Sequence, residues 1–247
     1  MKEKKELIST VEEKELNAPN GLAVGILSVL VYIAAAVGVI PAAMALDNGS
    51  TAFGTVLMTI CVLWLCVGWI PFMGVKVIRP NEALVLTLFG KYTGTLKKEG
   101  IFFVNPFSIA VNPASAQKIA SGKNPQEATV PVGKKLSLKA MTLDNKKQKI
   151  NDRDGNPIEI SIVVIWKIAN TAKAVFNVDN YEEYVSIQSD SALRDVAGAY
   201  PYDGDGENVK SLRGSSAEIA GHLRDMLQSR VDDAGIEVIE ARITHLA

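Results

Sequence analysis

Two long apolar stretches near the amino terminus dominate the hydrophobic pattern of the chain. No charged residue occurs from Gly21 to Leu46, and none occurs from Ala52 to Val75. The hydrocarbon core of a bilayer is about 30 Å thick and a helix rises about 1.5 Å per residue, so roughly 20 apolar residues span it. The polar segment 47–51 between the stretches is typical of a turn. The pattern predicts an antiparallel transmembrane hairpin with spans of about 21–46 and 52–75.

Two proline residues leave the geometry of this hairpin open. Pro41 and Pro71 lie near the ends of the two spans, where proline can kink or end a helix. A re-entrant hairpin that enters and leaves on the same side is the alternative to two full spans, and both geometries place the two termini on one side. A cleaved signal peptide is disfavoured, because the first apolar stretch is long and the tail before it is as acidic as it is basic.

Lysine and arginine residues near the spans predict the orientation, because cytoplasmic flanks carry an excess of both. The connecting loop has neither, whereas both outer flanks carry them, at Lys2, Lys4, Lys5, Lys14, Lys76, Arg79 and Lys91. We therefore expect both termini and the soluble domain to be cytoplasmic, at the plasma (inner) membrane. Gly21-x-x-x-Gly25 and Ala34-x-x-x-Gly38 have a spacing that permits close helix contact but is also common by chance in membrane helices.

After residue 75 the pattern changes to short strands. Ala83–Phe89 is rich in β-branched and apolar residues, and a turn flanked by Gly90 and Gly94 follows it. A second short strand is predicted from Gly100 and ends at Pro106. Further strands are predicted at 158–168, after a hairpin turn at Asp154-Gly155, and at 236–246.

Two amphipathic helices are predicted between the last two strands. The first begins after Asp179 or Asn180 and runs to about Tyr200, and the second runs from about Ser215 to Asp233, where Gly235 stops it. The order of strands, helices and a final strand predicts an α+β domain with a mixed, partly antiparallel sheet and packed helices. The proline-containing stretch 112–135 is predicted to be a flexible insertion.

Composition and motifs exclude several classes of function. The formal net charge of −1 gives no support for nucleic-acid binding. Cys61 and Cys66 lie inside the second apolar stretch and are expected to be small buried hydrophobes without a disulfide. With only His222 and His245 in the chain, the usual zinc site cannot form, and nucleotide-binding and hydrolase motifs are missing. We predict no catalytic, cofactor-binding or metal residue, and no cofactor.

Three weaker signals remain. The aspartates of 203–207 and 152–154 lack the glycine and carboxylate spacing of a calcium loop, so both segments are predicted to be turns. A group of lysines either contacts anionic lipid or lies on a solvated face; it comprises Lys134, Lys135, Lys139, Lys146, Lys147 and Lys149. A serine nucleophile would need a lysine as its base. The candidate serines, none in a recognisable setting, are Ser161, Ser186, Ser189 and Ser191.

The order and spacing of several segments resemble the SPFH (Band 7) family of stomatins, prohibitins and flotillins. The segments are Val77-Ile-Arg-Pro80-Asn-Glu82, Phe89-Gly-Lys91, Gly100-Ile-Phe-Phe-Val-Asn-Pro106, residues 151–160 with 163–167, and Gly235-Ile-Glu-Val238. The resemblance covers about 75–247. It implies a charged tail at 1–20, the transmembrane hairpin at 21–75 and an SPFH-like domain at 76–247.

The resemblance also implies a function. It is that of a non-enzymatic scaffold that binds the lipid bilayer, forms a homo-oligomer, organises a membrane microdomain and modulates neighbouring membrane proteins such as proteases or transporters. The alternatives are a monomeric tethered module that recruits one client and a serine/lysine membrane hydrolase. Two features depart from the family. The stretch 112–135 is longer than expected, and the chain stops at Ala247, before the expected coiled-coil helix. The chain is either short by nature or a piece of a longer protein.

Overall fold

The computed structural model describes residues 11–48, 51–114, 133–204 and 210–247. The chain divides into two compact units. The first, called the anchor unit, holds residues 15–80 and 86–110. The second, called the sheet unit, holds residues 81–85 and 111–247 together with the tail up to Lys14.

Two long apolar helices form most of the anchor unit. Helix α1 covers Gly21–Asp47, and helix α2 covers Thr51–Val67. The Tyr32 hydroxyl of α1 donates a hydrogen bond to the Leu65 carbonyl of α2 over 3.3 Å, so the two helices pack side by side. Because the connection between them is so short, they run antiparallel, and the predicted helical hairpin is confirmed.

The prolines act differently in the two helices. Helix α1 continues through Pro41 to Asp47 without ending there. Helix α2 ends at Val67, and Pro71 lies in the first turn of a separate short helix, α3, at Ile70–Met73. A proline in the first turn removes no helical hydrogen bond, which explains why it is tolerated there.

Short antiparallel strands complete the anchor unit. Strand β1 (Val75–Ile78) pairs with β4 (Gly100–Phe103). Strand β2 (Glu82–Leu88) lies between β3 (Lys91–Leu96) and β5 (Ile109–Ala110). Its first four residues belong to the sheet unit, where Ala83 pairs with Leu136 of β6 (Leu136–Ser137). Gly94, which we expected beside the turn, lies inside β3.

A four-stranded antiparallel sheet forms the core of the sheet unit. Strand β9 (Pro157–Ile168) is central, with β10 (Ile236–Leu246) on one side. On its other side β9 pairs with β7 (Met141–Asp144) and β8 (Gln148–Asn151). The alternating side chains Ile160, Ile162 and Val164 of β9 are fully buried.

Helices pack against this sheet and provide its apolar cover. They are α4 (Thr171–Phe176), α5 (Tyr181–Ala199) and α6 (Ser216–Val231), followed by a 3-10 turn at Asp232–Ala234. The Asn180 side chain caps α5, as predicted, by accepting from the backbone N–H groups of Glu182 and Glu183. The predicted α+β class with packed helices is confirmed. Among the described residues every ladder is antiparallel, and one parallel bridge joins Glu15 to Thr95.

Gly235 ends the helical segment because its backbone has φ +67°, which favours glycine. A Cβ atom at this position would lie 2.5 Å from the Asn170 carbonyl oxygen. The predicted stop at Gly235 is confirmed. Much of the insertion predicted at 112–135 lies outside the described residues, as do residues 205–209 of the acidic turn.

Candidate membrane and assembly surfaces

The two apolar helices expose their large side chains instead of burying them. Leu27 and Val37 of α1 are 62% and 58% exposed, and Phe53 of α2 is 67% exposed. None of the most apolar part of α1 is buried within the protein, and 11% of the corresponding part of the second segment is. A core helix of a water-soluble protein would have the opposite distribution, so this surface matches the hydrocarbon of a bilayer.

The two small-residue motifs of α1 have different surroundings. A Cβ atom at Gly38 would lie 3.0 Å from the Cys61 sulfur, so this glycine permits the contact between α1 and α2. Gly25, in contrast, has no atom within 4 Å of such a Cβ and borders an apolar groove of about 410 Å³. The second motif therefore contributes to the hairpin, and Gly25 does not.

Several strand and turn residues of the anchor unit also expose apolar side chains. Phe89 is 88% exposed, and Phe107 and Ile109 are 60% and 59% exposed. Phe89 also has φ +49°, a conformation that is costly for a bulky residue and is found mainly where structure or function demands it. A fully exposed phenylalanine held in this turn is suited to a partly apolar environment such as the lipid head-group region.

In the sheet unit, a buried carboxylate joins two segments that are distant in sequence. Asp152 follows β8 and accepts hydrogen bonds from the backbone N–H groups of Asp154 (3.0 Å), Asn156 (2.7 Å) and Tyr202 (2.9 Å). Burial raises the pKa of Asp152, but these bonds and one from the Asn156 amide outweigh it and hold the pKa below its usual value. The predicted turn at 152–154 is confirmed, and it also fixes the chain after α5.

A second carboxylate, Asp190 of α5, is held by two side-chain amides. Asn145 donates to it over 2.6 Å and Gln148 donates through a shorter contact. Gln148 also accepts from Arg194 over 3.4 Å. The shallow polar groove beside these residues has a volume of about 550 Å³. Both amides bond the same carboxylate oxygen, Oδ1, and the arrangement joins the β7–β8 segment to α5.

The outer edge of β10 adjoins a groove of about 740 Å³ beside α6. Its α6 wall consists of small residues, including Ala217, Ala220 and Gly221, together with Arg224. At the start of β10, Gln228 of α6 bonds the edge directly: it donates to the Ile236 carbonyl over 3.0 Å and accepts from the Val238 N–H over 2.7 Å. One side-chain amide thus takes the place of a neighbouring strand over the first residues of β10.

Among the described residues, no hydrogen bond joins a candidate serine to a lysine, although Ser186 lines the same shallow polar groove as Lys146 and Lys149. Ser161 is buried and bonds the Thr244 hydroxyl over 3.0 Å, and Ser191 accepts from Arg230 over 2.9 Å. Ser189 is fully buried, and its hydroxyl has no partner among the described residues. His222 lies on the exposed side of α6, beside the Tyr200 hydroxyl at 3.3 Å.

Two of the six candidate lysines, and one aspartate of the acidic turn, form local ion pairs. Lys135 pairs with Glu82 over 2.8 Å, and Lys149 pairs with Glu159 over 3.3 Å. Asp203, from the acidic turn, pairs with Arg213 over 3.3 Å. Within residues 11–48, 51–114, 133–204 and 210–247, no group of three His, Cys, Asp or Glu side chains is arranged to hold a metal ion. Contact of the lysines with anionic lipid stays a prediction.

Comparison with known proteins identifies the family of this chain. The sequence model of the SPFH domain / Band 7 family matches residues 76–247. The chain belongs to this family. Mouse stomatin is 21% identical over 196 residues, which are 78% of this chain and 56% of stomatin. An uncharacterised protein of Methanothermobacter thermautotrophicus is 23% identical over 191 residues, which are 77% of this chain and 50% of that protein.

The chain therefore spans about half the length of these curated relatives. Family membership confirms the resemblance seen in the sequence motifs. Together with the two exposed apolar helices, it indicates that the protein associates with a membrane. Sequence reasoning predicted the strand at 236–246 but not the contact of Gln228 with its edge, because no local pattern links that side chain to the strand.

Proposed function

We propose that the protein is a non-enzymatic membrane scaffold that self-associates laterally, organises a patch of membrane and modulates neighbouring membrane proteins such as proteases or transporters. The observation that carries the proposal is the hairpin of α1 and α2, whose exposed apolar surface precedes an SPFH domain directly. The hairpin would place both termini and the SPFH domain on the cytoplasmic side of the plasma (inner) membrane, because only the outer flanks carry lysine and arginine.

Tethering explains how weak contacts suffice for assembly. A domain confined to a membrane plane meets other copies at a much higher effective concentration than in solution. Phe89, Phe107 and Ile109 of the anchor unit supply additional apolar contact with the membrane surface, since each is more than half exposed. The domain organisation we infer is a charged tail at 1–20, a transmembrane hairpin at 21–75 and the SPFH domain at 76–247.

Two measurements on native membranes test this proposal. Washing with alkaline carbonate should leave the full chain in the membrane fraction, and release of the chain would contradict the anchor. Chemical crosslinking in the same membranes should give a ladder of homo-oligomers. A strictly monomeric chain crosslinked to one stoichiometric client would favour a tethered recruitment module instead, and labelling by an active-site serine probe would favour a hydrolase.

A further inference from the structure

An apolar groove of about 410 Å³ runs along the first turns of α1. One wall is formed by residues of α1 between 21 and 30, and the other by Phe72 of α3, Val75 of β1 and Ile101 of β4. Every residue that lines the groove is apolar or a glycine. All of them belong to the anchor unit, so the groove is complete within one unit.

The groove exists because α1 separates from the strands after its first turn. A Cβ atom at Gly21 would lie 2.6 Å from the backbone carbonyl carbon of Phe102, so the helix begins in contact with β4. The N–H group of Phe103 also donates to the Pro19 carbonyl over 3.0 Å, which holds the chain just before the helix. One turn later, no described atom lies within 4 Å of a Cβ at Gly25. The missing side chain of Gly25 therefore leaves the floor of the groove open.

The position of the groove along α1 places it inside one leaflet. Residues 21–30 rise about 14 Å along a helix axis, which is about half of the 30 Å thickness of the hydrocarbon core. These residues are uncharged, and they begin where α1 meets β4. When α1 spans a bilayer, the groove therefore opens into the leaflet nearest the strands of the anchor unit.

A second transmembrane helix fits this groove poorly. Close packing of membrane helices uses two small residues four positions apart. Gly21 and Gly25 have that spacing, but Gly21 is already covered by Phe102, so only Gly25 is open. A helix with its side chains is about 10 Å wide, and a length of about 14 Å occupies roughly 1,000 Å³, which is more than twice the volume of the groove.

A lipid acyl chain matches the groove in size and chemistry, because it is apolar along its length and much narrower than a helix. Lipid tails are as apolar as leucine, so a chain gains little by leaving other chains for a smooth helix face. Between two walls the chain has contacts on both sides, and the dispersion energy grows with the number of contacts. A chain in the groove should therefore be held longer than a chain against the outer side of α1.

We propose that this groove is a binding site for one acyl chain of a glycerophospholipid in the leaflet nearest the strands of the anchor unit. Gly25 provides the space, and Leu22, Ile26 and Phe72, which are partly exposed on its rim, contact the chain. The site rests on the membrane scaffold proposed above and gives it a lipid that stays with the protein. Phospholipids supply most of the acyl chains of a bilayer, which favours this source over a free fatty acid.

Lipid retention tests the site. The full chain is reconstituted in vesicles of phosphatidylcholine, cholesterol and oleic acid, extracted in mild detergent and diluted, and native mass spectrometry identifies the lipids that remain bound. One phosphatidylcholine per chain should stay bound to the unmodified protein. Gly25→Leu fills the floor of the groove and should reduce the retained fraction about fivefold. Ala36→Leu, the matched control, adds the same side chain at an exposed position of α1 outside the groove and should retain the lipid.

Photo-crosslinking of the unmodified chain tests the site without a variant. Phosphatidylcholine with a diazirine midway along one acyl chain should label the residues around Ile26 and Phe72, which line the groove. It should label the residues around Ile40 less strongly, although Ile40 is as exposed as Ile26 and lies toward the other end of α1.

Several results would overturn the site. They are equal loss or equal retention in the two folded leucine variants, retention of cholesterol or oleic acid in place of phosphatidylcholine, and equal labelling around Ile26 and Ile40. Hydrogen exchange of β9 peptides shows whether each variant is folded. If the chain nevertheless stays in carbonate-washed membranes and forms homo-oligomers, the site is wrong and the scaffold proposal stands. If carbonate releases the chain, both fail.

Discussion

Helices α1 and α6 contain similar apolar side chains and place them in opposite surroundings. In α1, Leu27 is 62% exposed, whereas Leu227 of α6 is completely buried against the sheet unit. Both arrangements remove apolar surface from water, one into lipid and one into a protein core. The comparison shows that the stability of the anchor unit depends on the medium around it, whereas that of the sheet unit depends on internal packing. Matched substitutions in the two units should therefore change the free energy of unfolding unequally.

The largest difference is expected for matched truncations of leucine. Leu227→Ala removes a fully buried side chain and should destabilise the sheet unit by about 2–5 kcal/mol through lost burial and a cavity. Leu27→Ala should change the free energy of unfolding of the sheet unit by less than about 0.5 kcal/mol, because the Leu27 side chain makes few protein contacts. The reconstituted chain is unfolded in urea, and hydrogen exchange of β9 peptides monitors the unfolding. This experiment measures the stability change caused by each of the two substitutions. Equal losses would mean that the two helices do not differ as described.

Glycine substitutions should sharpen the comparison with a smaller effect. Gly235→Ala places a side chain at φ +67° and against the Asn170 carbonyl, which should cost about 1–3 kcal/mol. Gly25→Ala adds the same atom to open space in the anchor unit and should leave sheet-unit stability unchanged. Hydrogen exchange of α6 and β10 peptides measures the loss of stability caused by Gly235→Ala. A destabilised Gly25 variant would show that this glycine packs against protein.

Acidification should affect the sheet unit through Asp152. The pKa of this carboxyl is lower in the folded chain than its usual value of 3.8, so the folded state is stabilised at pH values above 3.8. That contribution is lost as the pH falls through 3.8 toward the folded value. Asp152→Asn lacks it, so its stability should fall less steeply between about pH 5 and pH 3.

The matched control for this pH dependence is Asp203→Asn, whose carboxylate is in an exposed ion pair with Arg213. Exposed pairs contribute little, so this variant should keep the slope of the unmodified chain. Urea midpoints recorded at several pH values measure the slopes. Parallel curves for Asp152→Asn and the unmodified chain would contradict the hydrogen-bonded role of Asp152.

Much of the fold could be predicted where a local pattern was long or had a clear end signal. The apolar helices, the strand at 158–168, the Asn180 cap and the Gly235 stop all have such signals. Short elements were missed for the opposite reason. Helix α4 has six residues, too few to show a helical period, and β3 contains Gly94, which disfavours strands.

The candidate surfaces were harder to predict, because they depend on contacts between distant residues. The bonds of Asp152 to Tyr202 join positions that no local pattern links. The contact of Gln228 with the edge of β10 likewise depends on which strand pairs with β9 and on where α6 ends.

The sequence by itself determined that this protein has an apolar hairpin, an α+β domain and the motif order of its family, because charge exclusion and side-chain periodicity are local properties of a chain. Only the tertiary structure decided which apolar side chains stay exposed, which groups bond the Asp152 carboxylate and which side chain bonds the edge of β10. Each of those outcomes depends on what the rest of the chain packs against, because buried polar groups need partners that only the folded chain supplies.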